Sequence, residues 1–315
     1  MNGSEPGLPI IFLLGPTAVG KTLTAIELAR MINAEIISLD SRQVYRGLDI
    51  GTAKPTLRQR RDVPHHLVDI LTLDEDISAG RYRELALAAI AATRSRGHHP
   101  LFVGGSGLYA NALIKGLFES SQTDPGIRRQ LHLELQTKGS TALYNRLLEI
   151  DPATALKTHL NDHKRITRAL EIYAITGQPP SQHYRHQNTP LPFPYQVFIL
   201  NMPREELYRR IDQRVQNMLS EGLVEEVRHL IAAGGRTRLG QLLTLGYQEV
   251  LHFLDGHCTE EEMGLNIQRN TRRYAKRQLT WFRNQYPEAV WVEVAPDQSP
   301  HAVAEIIRNS LTKIN

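Results

Sequence analysis

The chain has a single cysteine, Cys258, among 315 residues. No internal disulfide is possible, which suits a reducing cytoplasm. No run approaches the ~18 apolar residues of a membrane-spanning helix, so no membrane partner is expected. The start, MNGSEPGLP, has neither the charged nor the apolar stretch of a secretory signal. Internal repeats and low-complexity segments are absent. Thirteen histidines are present, but they lack ligand spacing. His159 and His163 have no third ligand nearby, and the adjacent pairs His65-His66 and His98-His99 point apart, which argues against a transition-metal centre. The hydrophobic fraction, 41%, is a little low yet sufficient for one large or two modest domains. The net charge of +4 hints mildly at an anionic partner.

What is present begins with GPTAVGKT, the residues Gly15, Pro16, Thr17, Ala18, Val19, Gly20, Lys21 and Thr22. They fit the phosphate-loop spacing G-x-x-x-x-G-K-[ST]. The apolar run Ile10–Leu14 before them reads as a buried strand. Leu23, Ile26, Leu28 and Ile32 after them have near-helical spacing. Glycines let successive backbone N–H groups turn inward, and the following helix points its positive end at an anion. Lys21 adds a point charge, and the Thr22 hydroxyl is placed to ligate Mg2+. ATP, GTP or any diphosphate ester satisfies this motif.

Further strands are expected at 34–40, 100–105 and 194–202, with a helix over 81–97 and a last strand at 289–294. Such alternation predicts an α/β fold, a parallel sheet with covering helices. Between 119 and 194 the pattern turns helical. Asp124-Pro125 and Asp151-Pro152 read as N-caps followed by proline, and Gly177 closes the helix HKRITRALEIYAIT. The expected layout is a core of 8–118 and 195–315, with a helical C-terminal part, interrupted by a helical insertion, 119–194.

Three constellations bear on chemistry. Asp40 ends the second strand, where ligands of open parallel sheets bind, although Asp-Ser is also ordinary turn chemistry. The strand 100–105 runs into VGGSG, Val103 to Gly107, where many phosphate-loop ATPases carry a metal-binding aspartate. Its glycines would let a substrate approach, and Ser106 would offer a hydroxyl near the phosphates. Finally, Arg269, Arg272, Arg273, Lys276 and Arg277 fall within one arc of roughly 140° on a helix, opposite Ile267, Tyr274, Trp281 and Phe282. A clean basic face over an apolar back suits a phosphate backbone, though a solvated face is the plainer alternative. Lys164, Arg165 and Arg168, the loop residues His183, Arg185 and His186, and Lys54, Arg58, Arg60 and Arg61 add basic groups elsewhere.

GPTAVGKT, LDSRQVYRGLDIGTAKP (39–55), PHHLVDI (64–70), VGGSGLY (103–109), RITRALEIY (165–173), LGYQEV (245–250) and TRRYAKRQLTWFR (271–283) together resemble the tRNA dimethylallyltransferase family, the bacterial tRNA isopentenyltransferases. The resemblance covers roughly 10–285. It implies a P-loop NTPase-like core and transfer of a dimethylallyl group from its diphosphate to the exocyclic amine of the adenosine 3′ of the anticodon. Asp40 corresponds to the general base. Ser106 stands where the family has threonine, keeping the hydroxyl and losing the methyl. Lys21, Thr22 and Mg2+ would stabilise the departing diphosphate. Family contacts to tRNA fall on Asp40, Ser41, Arg42 and Gln43, on Ser106 and Arg128, on Lys164, Arg165, Ile166, Thr167 and Arg168, and on Leu245, Gly246, Tyr247 and Gln248. Arg272, Lys276 and Arg277 join them from the basic face. The insertion would clasp the anticodon stem-loop of a tRNA held by a monomer, with the target base flipped out of its stack.

A free-nucleotide prenyltransferase would use the same phosphate loop and Asp40 but needs no insertion or basic helix. A small-molecule kinase is the commonest reading of the phosphate loop alone, and a non-catalytic RNA-binding module would leave that loop unexplained.

Overall fold

The computed structural model describes residues 8–116, 124–182 and 189–311. His183, Arg185 and His186 lie outside them. The chain divides into two compact units, one of Met1–Asn111 with Phe193–Asn315 and one of Ala112–Pro192.

The first unit is built on a six-stranded sheet. β1 is Ile10–Leu14, β2 Ala34–Leu39, β3 His65–His66, β4 His99–Gly104, β5 Tyr195–Asn201 and β6 Val290–Glu293. Every pairing is parallel, in the order β3-β2-β4-β1-β5-β6. All five β1 residues are buried, as expected of a central strand covered on both faces. Ile11, Leu13, Leu101, Phe198 and Leu200 pack with Ile26 and Leu28 of α1, Lys21–Met31, and with Val303 and Ile307 of a C-terminal helix, Pro300–Leu311. Leu23, read with that apolar stripe, is instead half exposed.

The polar stretch 41–66, featureless by periodicity, carries α2, Leu57–Asp62, started by a Thr56–Gln59 capping box. It also carries β3, two residues too short to show any pattern. α3 is Ala79–Ser95 and α4 is Gly107–Ile114. After β5 come α8 Arg204–Ser220, α9 Leu223–Ala232, α10 Arg236–Leu242, α11 Tyr247–Leu254 and α12 Glu260–Gln285. Their apolar faces enclose Val44, Tyr45 and Leu48, so the loop after β2 has a core of its own.

The second unit has α5, Pro125–Ile150, broken at Gly139 where φ is 77°, then α6, Pro152–Ala155, and α7, His163–Thr176. Asp124 and Asp151 accept N–H bonds from the first turns of α5 and α6, and Gly177 closes α7 at φ 70°. Leu131, Leu143, Leu147, Ile166 and Leu170 form its core.

Candidate active site

Strand order creates the site. β1 delivers the phosphate loop and β2 delivers Asp40, with β4 between them. β4 ends in Gly104-Gly105, which carry no side chains into the space above it. A cavity of about 230 Å3 fills that gap, walled by Lys21, Thr22, Asp40, Val103, Gly104 and Gly105. The chain leaves β1 and β4 in opposite directions, so this is the switch point at which open α/β sheets bind ligands.

Gly20, at φ 104°, starts α1 without a side-chain cap, leaving the first helical N–H groups for an anion. Lys21 Nζ donates to the Gly15 and Pro16 carbonyls at 3.0 and 2.6 Å. Burial, then the nearby Arg214 guanidinium, lowers its pKa to about 7, against a weaker opposing pull from Asp40. An arriving anion would restore the ammonium. The Thr22 hydroxyl lines the same cavity with no hydrogen-bond partner among the described residues.

Asp40 Oδ1 accepts the N–H groups of Arg42 and Gln43 at 2.7 and 3.3 Å. This Asx-type turn fixes the carboxylate. Its other oxygen has no hydrogen-bond partner among the described residues. Asp40 also lines a second cavity of about 320 Å3, with Ser41, Arg42, Leu245, Gly246 and Arg277 on its wall. The carboxylate thus stands where a phosphate-loop cavity meets a neighbour rimmed by cations.

Four residues absent from the sequence reading, or misplaced in it, help build the site. Arg214 lines both cavities. It sits on the face of α8 that buries Ile211, Val215 and Met218, and an arginine at an apolar position was the available signal. Tyr274, read as part of the apolar back, also faces both cavities. Burial and Asp40 push its hydroxyl pKa up to about 12, so it stays protonated. Gln278, 6% exposed, accepts the Thr17 N–H and donates to the Gly105 carbonyl, each at 2.9 Å. Glu226 accepts the N–H groups of Asp49 and Ile50 and the Tyr247 hydroxyl, bracing the GTAKP loop.

The glycine turn also serves packing within the protein. A Cβ on Gly105 would lie 2.1 Å from Gln278 Nε2, and one on Gly107 would lie 2.3 Å from the Trp281 ring. Gly105 and Gly107 thus make room for side chains of α12, while Gly104 and Gly105 also wall the phosphate-loop cavity. The Ser106 hydroxyl accepts the Ser41 N–H at 3.2 Å and so steadies the turn beside Asp40.

Several expected RNA contacts are occupied inside the protein. Ile166 and Tyr247 are fully buried, so their side chains cannot reach a partner. Arg128 and Arg168 both bond the buried Glu171, at 2.8 and 2.7 Å. Arg272 donates to both oxygens of Asp212 at 2.8 Å. Lys54 is buried between Asp49 and Asp69, which also holds Arg60. Arg42 donates to the Leu242 carbonyl, Gln43 to the Thr52 and Ala53 carbonyls, and Gln248 to that of Leu239. The Thr167 hydroxyl donates to His163. Lys164, Arg165, Arg273, Lys276 and Arg277 remain exposed. Of these only Arg165 has an acidic partner among the described residues, Asp162 at 3.3 Å.

The family model for IPP transferase matches residues 43–285. The tRNA dimethylallyltransferase of Salinibacter ruber is 45% identical over 312 residues, covering 98% of this chain and 95% of that protein. That of Pelotomaculum thermopropionicum is 43% identical and covers 98% of each. Among solved structures, the full-length tRNA isopentenylpyrophosphate transferase of Bacillus halodurans matches 96% of each chain, with a TM-score of 0.68 and 39% identity. A eukaryotic dimethylallyltransferase acting on tRNA matches 90% of this chain and 73% of its own, with a TM-score of 0.78 and 30% identity. The parallel sheet with its phosphate loop after β1 is a P-loop NTPase-like fold.

Proposed function

The chain belongs to the IPP transferase family and is an enzyme, a prenyltransferase, and we propose that it moves a dimethylallyl group from dimethylallyl diphosphate to the exocyclic amine of the adenosine 3′ of a tRNA anticodon. The observation that carries this reading is the place of Asp40, a wall of both the phosphate-loop cavity and the cation-rimmed cavity beside it. The donor's diphosphate occupies the first, against Lys21, Thr22 and the open N–H groups of α1. The adenine enters the second.

The amine nitrogen attacks the first carbon of the dimethylallyl group as the carbon–oxygen bond to the diphosphate breaks. Inorganic diphosphate departs, and the amine proton passes to the free oxygen of Asp40. Adenine's exocyclic amine is a weak nucleophile, so alignment between the two cavities supplies much of the acceleration. Lys21 and Arg214 balance charge on the leaving group. Mg2+ suits the donor set: it favours few protein ligands plus substrate phosphates, and Thr22 offers one oxygen. Bound there, the ion would neutralise charge on the departing diphosphate.

The RNA lies along the exposed cations of α12, and the helical unit, through Lys164 and Arg165, meets the anticodon stem-loop. No described helix is long and apolar enough to cross a membrane, and the lone Cys258 suits cytoplasmic work on tRNA.

The test incubates the protein with Mg2+, labelled dimethylallyl diphosphate, and either unmodified tRNA or AMP. Label is expected on the tRNA. Label on AMP alone, or only with ATP as co-substrate, overturns the reading.

A further inference from the structure

We propose that Gln278 is a positioning residue that couples RNA held on α12 to the affinity of the donor's phosphate loop. The inference rests on the proposed function. Its basis is a residue of α12 that lines the donor cavity and is bonded to Thr17, which walls both cavities.

Gln278 sits on the inner face of a 26-residue helix. Its amide reaches two separate strand exits. The oxygen takes the Thr17 N–H of the loop after β1, and the nitrogen donates to the Gly105 carbonyl after β4. The side chain is buried; its bond to Gly105 is shut away from water and its bond to Thr17 is partly so, and leaving a buried partner unpaired is costly. The approach is built in from the other side as well. Gly105 leaves the space that Gln278 Nε2 fills, since a Cβ would meet it at 2.1 Å. A glycine and a glutamine 173 residues apart are therefore one fitted pair.

The next turns carry the outward part of the device. Arg273, Lys276 and Arg277 are exposed on the same helix. Tyr274, one turn before Gln278, walls both cavities. A helix moves as a rigid rod over a turn or two. RNA phosphates drawn to its outer face load the same segment that holds Thr17 in place. A loop held in its phosphate-binding shape loses less freedom on binding the donor, which is positive coupling. By reciprocity, donor binding strengthens RNA binding by the same factor.

The test measures binding of inorganic pyrophosphate with Mg2+, by calorimetry, with and without a tRNA anticodon stem-loop. Steady-state kinetics are run alongside. In the wild type the RNA should tighten pyrophosphate binding at least fivefold. Gln278→Met keeps the bulk and loses both bonds. It should abolish that effect and raise the donor KM about tenfold, with the RNA Kd in the absence of pyrophosphate within twofold and the melting temperature little changed. Gln278→Glu keeps the acceptor for Thr17 and should recover part of the donor KM. Gly105→Ala, which pushes the side chain away, should reproduce Gln278→Met.

An unchanged donor KM in folded Gln278→Met overturns the proposal. So does a wild type in which RNA leaves pyrophosphate affinity unaltered. An equal loss for both substrates with a lowered melting temperature shows a merely structural role and also overturns it. If the wild type transfers no prenyl group to tRNA, the proposed function fails instead, and the binding data still decide the coupling.

Discussion

Asp40 is asked to do one thing that a neutral isostere cannot, which is to accept a proton. Asp40→Asn keeps an oxygen able to take the Arg42 and Gln43 N–H bonds, so the turn should survive. Turnover should fall about 10²–10⁴-fold, the usual span for a lost general base, with tRNA affinity within a few-fold. Single-turnover rates at saturating substrate read this directly, and near-normal rates would remove Asp40 from proton transfer. Its place at the end of a parallel strand singled it out in the sequence beside an ordinary turn reading, and its role as base came from the family resemblance. Arg214 and Gln278 were not legible there. Their importance comes from partners 162 and 173 residues away, and no local pattern encodes such pairings. The VGGSG turn was only partly legible for a related reason. Its sequence shows that close approach is needed but not everything that approaches, and Gln278 and Trp281 are part of the answer.

On α12 the sequence showed a basic face, and the structure divides it. Arg272 already has Asp212 as a bidentate partner, while Lys276 and Arg277 have no acidic partner among the described residues. Arg277→Ala should weaken tRNA binding and reduce the slope of log affinity against log salt by about one. Arg272→Ala should leave that slope nearly unchanged and mainly lose the link to α8. Filter binding across a salt series separates the two. Strand pairing supplies a further test at the sheet edge. Glu35 of β2 is held by Arg96 and His66, and these bonds, Arg96 first, lower its pKa to about 2. A carboxylate depressed on folding contributes fully above its unfolded value, near 4.5, and loses that contribution as pH falls through about 2. Because Arg96 is half exposed, the contribution should be about 1–2 kcal/mol rather than the full shift. Urea midpoints from pH 6 to pH 2 should fall more steeply for the wild type than for Glu35→Gln.

At the scale of the molecule, alternating strands and helices made the parallel sheet readable, and proline after a capping aspartate marked the starts of α5 and α6. Strand order was not readable, because it depends on which hydrophobic faces meet. The cavity exists only because β4 lies between β1 and β2. The two units have separate cores, with every residue of the Leu131–Leu170 cluster inside the second. That separation has a measurable consequence at Glu171. This buried carboxylate bonds Arg128, Arg168 and the Asp124 N–H, so it ties the start of α5 to α7. Glu171→Ala removes all three bonds. It should cost the second unit about 2–3 kcal/mol, below the upper range for a broken buried pair because both arginines can turn to solvent. The phosphate loop and Asp40 belong to the other unit. Pyrophosphate with Mg2+ should therefore bind the variant as it binds the wild type, while anticodon stem-loop affinity falls and amide exchange in 125–176 quickens. Loss of pyrophosphate binding in step with RNA binding would show that the cores are not independent, and that the helical unit supports the donor site as well as the RNA.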